Sequence, residues 1–363
     1  GMSWTQQAKL GTSDPEQDDL FAWSVGIDGD TIVVGTPGDD DACPPEVFCD
    51  SGTAHVFTRS AGAWSQQAKL IATDGAYRDN FGLSIAIHGD TVVVGAPGDD
   101  DAGVGSGSAY VFVRSGTAWT QQAKLVASDG SRYDQLGSAV AIDGETVLLG
   151  SPFDDDACPA DLSCDSGTAY VFVRSGVAWT EQAKLLASDT APNDFFGRSV
   201  GVSGDTALVG APCHPDPGPV SGACPASKPG SAYAFVRSAS TWAQQHKFTS
   251  PVSAPDDWFG DSVSVRGDVA LIGSPGEDRP TKAIGAAYVF VRSGTTWTGL
   301  EKLAQSRTTT SDQFGTSVAL GPDVALIGAP GDDAWGYDSG AAYVNDVELP
   351  EPAPRACPLS QGL

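Results

Sequence analysis

The stretch that decides the fold is residues 81–125, which read FGLSIAIHGDTVVVGAPGDDDAGVGSGSAYVFVRSGTAWTQQAKL and recur with changes along the chain. Four runs within it are rich in Val, Ile, Tyr, Phe and Trp and are bounded by Gly, Asp, Ser or Pro, which is typical of β-strands. These runs are residues 84–87, 91–96, 108–114 and 119–125. Short turns join the first run to the second and the third to the fourth. The unit is therefore predicted to be one four-stranded antiparallel sheet.

The Trp of the fourth run marks six copies of this unit, at Trp4, Trp64, Trp119, Trp179, Trp242 and Trp297. Residues 4–10 (WTQQAKL) are a fourth strand without the first three, whereas residues 314–349 hold three strands without a fourth. These parts complete one sheet if the array closes into a ring, which also removes bare sheet edges. We therefore predict an all-β fold, a six-bladed β-propeller in residues 1–349. Its last blade, residues 314–349, is closed by the N-terminal strand 4–10, and a Pro-rich tail follows at 350–363.

The composition argues against several classes of partner. The chain has 46 acidic and 20 basic side chains and a formal net charge of −26 at pH 7. Such a charge repels a phosphate backbone and an anionic bilayer, so we expect no nucleic acid partner. No apolar run approaches the length of a membrane span, so we expect no membrane insertion. We also expect a monomer. The acidic surface suits metal cations or cationic ligands.

Six of the seven cysteines form short-range pairs, each inside one loop. The pairs are Cys43 with Cys49, Cys158 with Cys164, and Cys213 with Cys224. This spacing permits local disulfides, whereas a zinc site typically has CxxC pairs or paired His. Disulfides predict a secreted or cell-surface protein, since they persist in oxidising compartments.

Two short motifs recur along the chain, in full in three copies and with changes in the other three, and resemble the FG-GAP repeat. The clearest pairs are Phe81-Gly82 with Gly95-Ala96-Pro97, Phe196-Gly197 with Gly210-Ala211-Pro212, and Phe314-Gly315 with Gly328-Ala329-Pro330. The resemblance covers nearly the whole chain and extends to integrin α-subunits and secreted bacterial proteins. It implies an extracellular, often adhesive, propeller. Integrin-type members bind calcium through a DxDxDG loop in the first hairpin, and that loop is missing here.

Acidic residues recur in the long loops, which all lie at one end of an up-and-down propeller. One Asp stands two residues before each FG pair, at Asp19, Asp79, Asp134, Asp194, Asp257 and Asp312. We expect it to accept backbone N–H groups in its own loop. A second acidic run follows the GAP motif, and adjacent carboxylates there indicate either calcium or a solvated loop. The calcium ligands predicted are Asp39, Asp41, Asp50, Asp99, Asp101, Asp154, Asp156 and Asp165.

The residue directly after each FG pair varies while its neighbours do not. These residues are Trp23, Leu83, Ser138, Arg198, Asp261 and Thr316. Because they begin the first strand, we expect them to ring the mouth of the central channel and to form a ligand pocket, with neutral drift as the alternative. Further candidates are Phe153, Phe195 and Trp258, as an aromatic wall, and His214 in the long loop 213–228.

The site content favours a binding or adhesion module for a glycan, a peptide or a small polar molecule, with calcium as a candidate cofactor. No catalytic motif is present. Two alternatives remain at this point. One is a carboxylate-based hydrolase or lyase at the same channel mouth, and the other is a structural surface protein.

Overall fold

The computed structural model describes residues 5–41, 49–156, 164–213, 229–252, 254–277, 283–305, 311–333 and 339–347. These residues contain 23 β-strands and no helix. Antiparallel pairing follows chain order, which gives five four-stranded sheets and one three-stranded sheet. The predicted all-β architecture of six propeller blades is thereby confirmed.

Blade one contains β1 (Val25–Asp28), β2 (Thr31–Thr36), β3 (Thr53–Ser60) and β4 (Ala63–Leu70). Blade two contains β5 (Ser84–His88), β6 (Thr91–Ala96), β7 (Ser108–Ser115) and β8 (Ala118–Leu125). Blade three contains β9 (Ala139–Asp143), β10 (Thr146–Ser151), β11 (Thr168–Ser175) and β12 (Ala178–Leu185). Blade four contains β13 (Ser199–Ser203), β14 (Thr206–Ala211), β15 (Ser231–Ser238) and β16 (Thr241–Phe248). Blade five contains β17 (Val263–Arg266), β18 (Val269–Ser274), β19 (Ala286–Ser293) and β20 (Thr296–Leu303). Blade six contains β21 (Ser317–Leu320), β22 (Val324–Ala329) and β23 (Ala341–Asp346).

The hydrophobic core lies between the blades. Val33 and Val56 of blade one, for example, pack with Phe81, Val92 and Val94 of blade two. The first strands of successive blades contact one another, so they line the centre of the array and the fourth strands lie outside. Residues that precede a first strand therefore stand at the inner rim.

The FG and GAP glycines make the backbone contact that joins one blade to the next. A Cβ on Gly35 would lie 2.0 Å from the carbonyl oxygen of Gly82, and a Cβ on Gly82 would lie 2.4 Å from that of Thr53. Gly82 also has a positive φ of 96°, which favours glycine. The Ser24 hydroxyl donates to the Gly82 carbonyl at 2.7 Å. This contact explains why both motifs recur together.

A glutamine in the outer strand of blades one to four forms a second tie to the next blade. Trp119 donates its ring N–H to Gln67 of blade one at 2.9 Å. Equivalent bonds join Trp179 to Gln122, Trp242 to Gln182, and Trp297 to Gln245. Trp64 donates in the same way to Gln7, at 3.3 Å. Gln7 thus lies beside the outer strand of blade one.

The boundary between blades six and one differs from the other five. Val25 and Ile27 are 65% and 66% exposed, whereas Val318 and Leu320, at the same positions in blade six, pack against blade five. Residues 5–10 lie outside any strand, and blade six has three strands in the described part of the chain. The predicted closing strand is thus not seen there, and closure stays a prediction.

The sequence at this boundary explains the difference. Ala22 stands where the other blades have the FG glycine and has a φ of 71°. At Gly82, the same position in blade two, a Cβ would lie 2.4 Å from the Thr53 carbonyl oxygen, so the close contact between blades requires a glycine at this position. In β23, the Asn345 amide nitrogen is buried without a hydrogen-bond partner in the described structure, which weakens that edge further.

Candidate functional site at the long-loop end

The aspartate before each FG pair holds its own loop. Its carboxylate accepts the backbone N–H of the residue three positions earlier. The bonds run from Glu16 to Asp19, Ala76 to Asp79, Ser131 to Asp134, Ala191 to Asp194, and Ala254 to Asp257, at 2.6–2.8 Å. The predicted role of these five residues is confirmed; the corresponding donor for Asp312 lies outside the described residues.

Burial changes the acidity of these side chains. Asp79 and Asp134 are almost completely buried. Burial, reinforced by the nearby Asp99, raises the pKa of Asp79 to about 6, although the Ala76 N–H opposes the shift. Burial likewise raises the pKa of Asp134 to about 7, with Asp154 adding to the effect. Their buried loop-holding bonds indicate a structural role.

The acidic run after GAP gives each of its three aspartates a separate task. In blade two, Asp99 accepts the backbone N–H of Asp101 at 3.1 Å, and Asp100 accepts that of Gly105 at 2.7 Å. The Asp101 carboxylate faces outward and lies 2.6 Å from the ammonium of Lys124. The bond within the acidic run recurs in blades one and three, where the backbone N–H of Asp41 donates to Asp39 and that of Asp156 donates to Asp154.

A lysine ammonium lies among the carboxylates where the sequence predicts calcium. Lys124 is 2.7 Å from Asp99 and 2.8 Å from Asp74. The same arrangement joins Lys69 to Asp14, Asp39 and Asp41, and Lys184 to Asp129, Asp154 and Asp156. Burial disfavours the charge on Lys69, but hydrogen bonds to its three carboxylates outweigh this and raise its pKa.

The lysines supply the positive charge that three neighbouring carboxylates require. Among the described residues, no group of three or more His, Cys, Asp or Glu side chains is arranged to hold a metal ion. The two outlying calcium candidates, Asp50 and Asp165, donate their backbone N–H groups to Asp40 and Asp155 at 2.7 Å. Calcium binding at these positions stays a prediction, and the geometry favours the ammonium in its place.

A tyrosine of the third strand completes the network. The Tyr110 hydroxyl donates to Asp74 at 2.9 Å and to Asp99 at 2.8 Å. Tyr170 does the same with Asp129 and Asp154, at 2.8 and 2.9 Å. Burial and the adjacent carboxylates raise the pKa of Tyr170, so its hydroxyl stays protonated as a donor.

The six variable residues occupy the same turn in every blade. The backbone N–H of each donates to the carbonyl three residues earlier, as from Trp23 to Leu20 and from Arg198 to Phe195. The side chain of Trp23 is 61% exposed, and Arg198 and Thr316 are exposed as well. Leu83, Ser138 and Asp261 are half-buried. One backbone position thus presents six different side chains at the inner rim.

The residue before the Phe or Leu of each FG pair has a strained backbone. Its φ is positive in all six blades, at Leu20, Asn80, Gln135, Phe195, Trp258 and Gln313. Non-glycine residues seldom adopt this conformation unless the surrounding structure holds them there. The inner rim is therefore a fixed surface.

The aromatic candidates are placed differently from one another. Phe153 meets Phe195 edge to face with ring centroids 5.6 Å apart, and the predicted aromatic wall stays a prediction. Phe195 and Trp258 themselves are buried, so their side chains pack beneath the rim and offer little surface to a ligand. His214 lies outside the described residues.

The structure describes one cysteine of each predicted pair. Cys49, Cys164 and Cys213 are buried at loop ends. Their predicted partners Cys43, Cys158 and Cys224 lie outside the described residues, so the pairing stays a prediction.

The role of the lysines as the cations that neutralise these carboxylates was not predicted from the sequence. The signal was present, because a lysine recurs at one position of the outer strand in an otherwise acidic protein. The contact could not be found from spacing, since Lys124 and Asp74 belong to the outer strand of one blade and the loop after the preceding one.

The model of the FG-GAP repeat family matches six segments, residues 4–57, 64–112, 119–172, 179–235, 242–290 and 297–345. No curated protein matches the chain. The crystal structure of Saccharomyces cerevisiae Sqt1 is similar over 91% of this chain and 83% of that chain, with a TM-score of 0.46 and 10% sequence identity. Across the described residues, no helix is long and apolar enough to cross a membrane. Because the six matched segments span most of its length, the chain belongs to the FG-GAP repeat family.

Proposed function

We propose that this protein is a binding module that takes its ligand at the inner rim of the long-loop end. One observation carries the proposal: six structurally equivalent positions on a fixed turn present Trp, Leu, Ser, Arg, Asp and Thr. A position that served only packing would favour one residue type in every blade. Variable side chains on a rigid scaffold are typical of binding surfaces.

The side chains suggest the class of ligand. An exposed Trp23 offers a flat apolar face with an N–H donor, which suits a sugar ring or an aromatic group. Arg198 offers a fork of donors for a carboxylate, and Asp261 accepts hydroxyl or ammonium donors. A glycan, a peptide or a small polar molecule fits this set.

The proposed setting is extracytoplasmic. Three predicted disulfides, each within one loop, and an acidic surface support it. Mass spectrometry of the purified protein before and after reduction tests the pairing. A gain of two hydrogens per pair on reduction is expected, and free thiols at all six positions would contradict it.

Binding to a glycan and peptide array tests the function. We expect Trp23→Ala and Arg198→Ala to weaken binding of the selected ligand by about tenfold each, which corresponds to about 1.4 kcal/mol. Val177→Ser is the matched control, because Val177 is exposed in a short turn at the opposite end. Unchanged binding in both rim variants, or equal loss in the control, would overturn the proposal.

A further inference from the structure

Blade four departs from the lysine network of blades one to three. Lys247 stands at the position of Lys124 and bonds to Asp189 at 2.5 Å, its one carboxylate partner in the described part of the chain. Tyr233, the counterpart of Tyr110, donates to the same Asp189 at 3.0 Å. The Lys247 side chain is 37% exposed, against 17% for Lys124. The ammonium is thus far less enclosed than in blade two.

A cavity of about 290 Å³ lies beside these two donors. Its lining includes Asp189, Asp194, Ser231, Tyr233, Lys247 and Thr249. A water molecule takes roughly 30 Å³ in the liquid, so the cavity has room for a small acidic group and part of its parent molecule. No equivalent cavity is needed in blade two, where Asp99 and Asp101 surround the ammonium.

The sequence accounts for this difference. In the register of the repeat, Gly210-Ala211-Pro212-Cys213 aligns with Gly95-Ala96-Pro97-Gly98. The next residue, Asp99 in blade two, is His214 in blade four. In the described part of blade four, no carboxylate takes the place that Asp99 has beside Lys124 and Tyr110.

We propose that the blade-four cavity binds the carboxylate group of an acidic ligand, which accepts hydrogen bonds from the Lys247 ammonium and the Tyr233 hydroxyl. Blade two shows that this arrangement is chemically sound, because Asp99 occupies the same position with Tyr110 and Lys124 as donors.

The acidic residues of the lining do not exclude an anion. Asp189 and Asp194 repel it, but their counterparts Asp74 and Asp79 flank Asp99 in blade two. The ammonium and the hydroxyl offset the same repulsion there. Since the site lies towards the outer strand and not at the inner rim, it extends the proposed binding function and can fail independently of it.

Titration at pH 7 with two matched pairs of probes tests the site. D-Glucuronate is compared with D-glucose, and N-acetyl-aspartate with N-acetyl-asparagine, by following protein NMR shifts. We expect the acid of at least one pair to bind with a Kd of about 1–10 mM while its neutral partner binds at least about tenfold more weakly. The favoured pair identifies the source as a sugar acid or a peptide acid. Equal binding within both pairs, or no binding up to about 100 mM, would overturn the site.

Three variants locate the binding. Lys247→Met is expected to weaken binding of the acid about tenfold or more, and Tyr233→Phe about threefold. Tyr110→Phe in blade two is the control and should bind as the native protein does. Full binding by folded Lys247→Met would contradict the proposal.

Discussion

Blades two and four are copies of one sheet that differ at the loop end. In blade two, the ammonium of Lys124 has three carboxylates around it and Tyr110 has two acceptors. In blade four, Lys247 and Tyr233 share one described carboxylate, Asp189, and a cavity lies beside them. The difference shows how a repeat can retain its scaffold while one copy opens a polar site.

The largest effect is expected from breaking the glycine contact between neighbouring blades, which holds the repeated sheets together. Gly82→Ala should lower the free energy of unfolding by about 3 kcal/mol or more, because its Cβ would lie 2.4 Å from the Thr53 carbonyl oxygen and its φ is positive. Urea unfolding measures the loss.

The matched control is Ala22→Gly, at the boundary between blades six and one. It relieves a positive φ and should stabilise the protein by up to about 1 kcal/mol. A destabilising effect similar to that of Gly82→Ala would mean that the two positions are not distinguished by the contact described.

The pH dependence of stability should come from the buried loop aspartates. Asp134 has a pKa raised to about 7 in the folded protein, against 3.8 for an ordinary aspartate. The folded state therefore holds a proton that the unfolded chain releases, and stability should fall as pH rises from about 4 to about 7.

Asp134→Asn should remove part of the loss of stability at high pH, because the amide has no proton to release in this range. The free energy of unfolding at pH 8 should rise by on the order of 2 kcal/mol. Asp194→Asn is the control, because Asp194 makes the same bond to Ala191 but is only half-buried. Melting curves from pH 4.5 to 8 measure both. A native protein that becomes more stable across that range would contradict the assignment.

A smaller effect should distinguish the two tyrosines. Tyr110→Phe removes a donor shared by two carboxylates and should cost about 1–2 kcal/mol, whereas Tyr233→Phe removes one bond beside a cavity and should cost about 0.5 kcal/mol. Equal losses in chemical unfolding would indicate that blade four is as fully bonded as blade two.

The smallest effect is expected from calcium. Because Lys69, Lys124 and Lys184 already neutralise the acidic runs, millimolar calcium should leave the melting temperature of the native protein almost unchanged. A rise that a chelator abolishes would support the calcium site that the acidic residues alone predict.

Local pattern was enough to predict the strands and the six blades. The run 91–96 is the strand β6, and 119–125 differs from β8 by one residue. The loop-holding role of Asp79 was also accessible, because it depends on a bond three residues away. Both inferences rest on short-range geometry that a repeat makes visible several times.

Contacts between blades could not be predicted in the same way. The bond from Trp119 to Gln67 depends on a bulge in β4, the outer strand of blade one. The pairing of β3 with β4 shifts there, between Val56 and Phe57 of β3. The lysine network joins residues about 25 to 55 positions apart. The effect of Ala22 appears only when its backbone is compared with that of Gly82.

The most direct measurement is the difference in unfolding free energy between Lys124→Met and Lys247→Met at pH 7. Removing Lys124 leaves the buried Asp99 beside two other carboxylates and should cost about 3 kcal/mol, whereas removing Lys247 leaves a half-exposed Asp189 and should cost about 1 kcal/mol or less. The account predicts that Lys124→Met is the more destabilising by about 2 kcal/mol. Equal losses, or a greater loss from Lys247→Met, would contradict it.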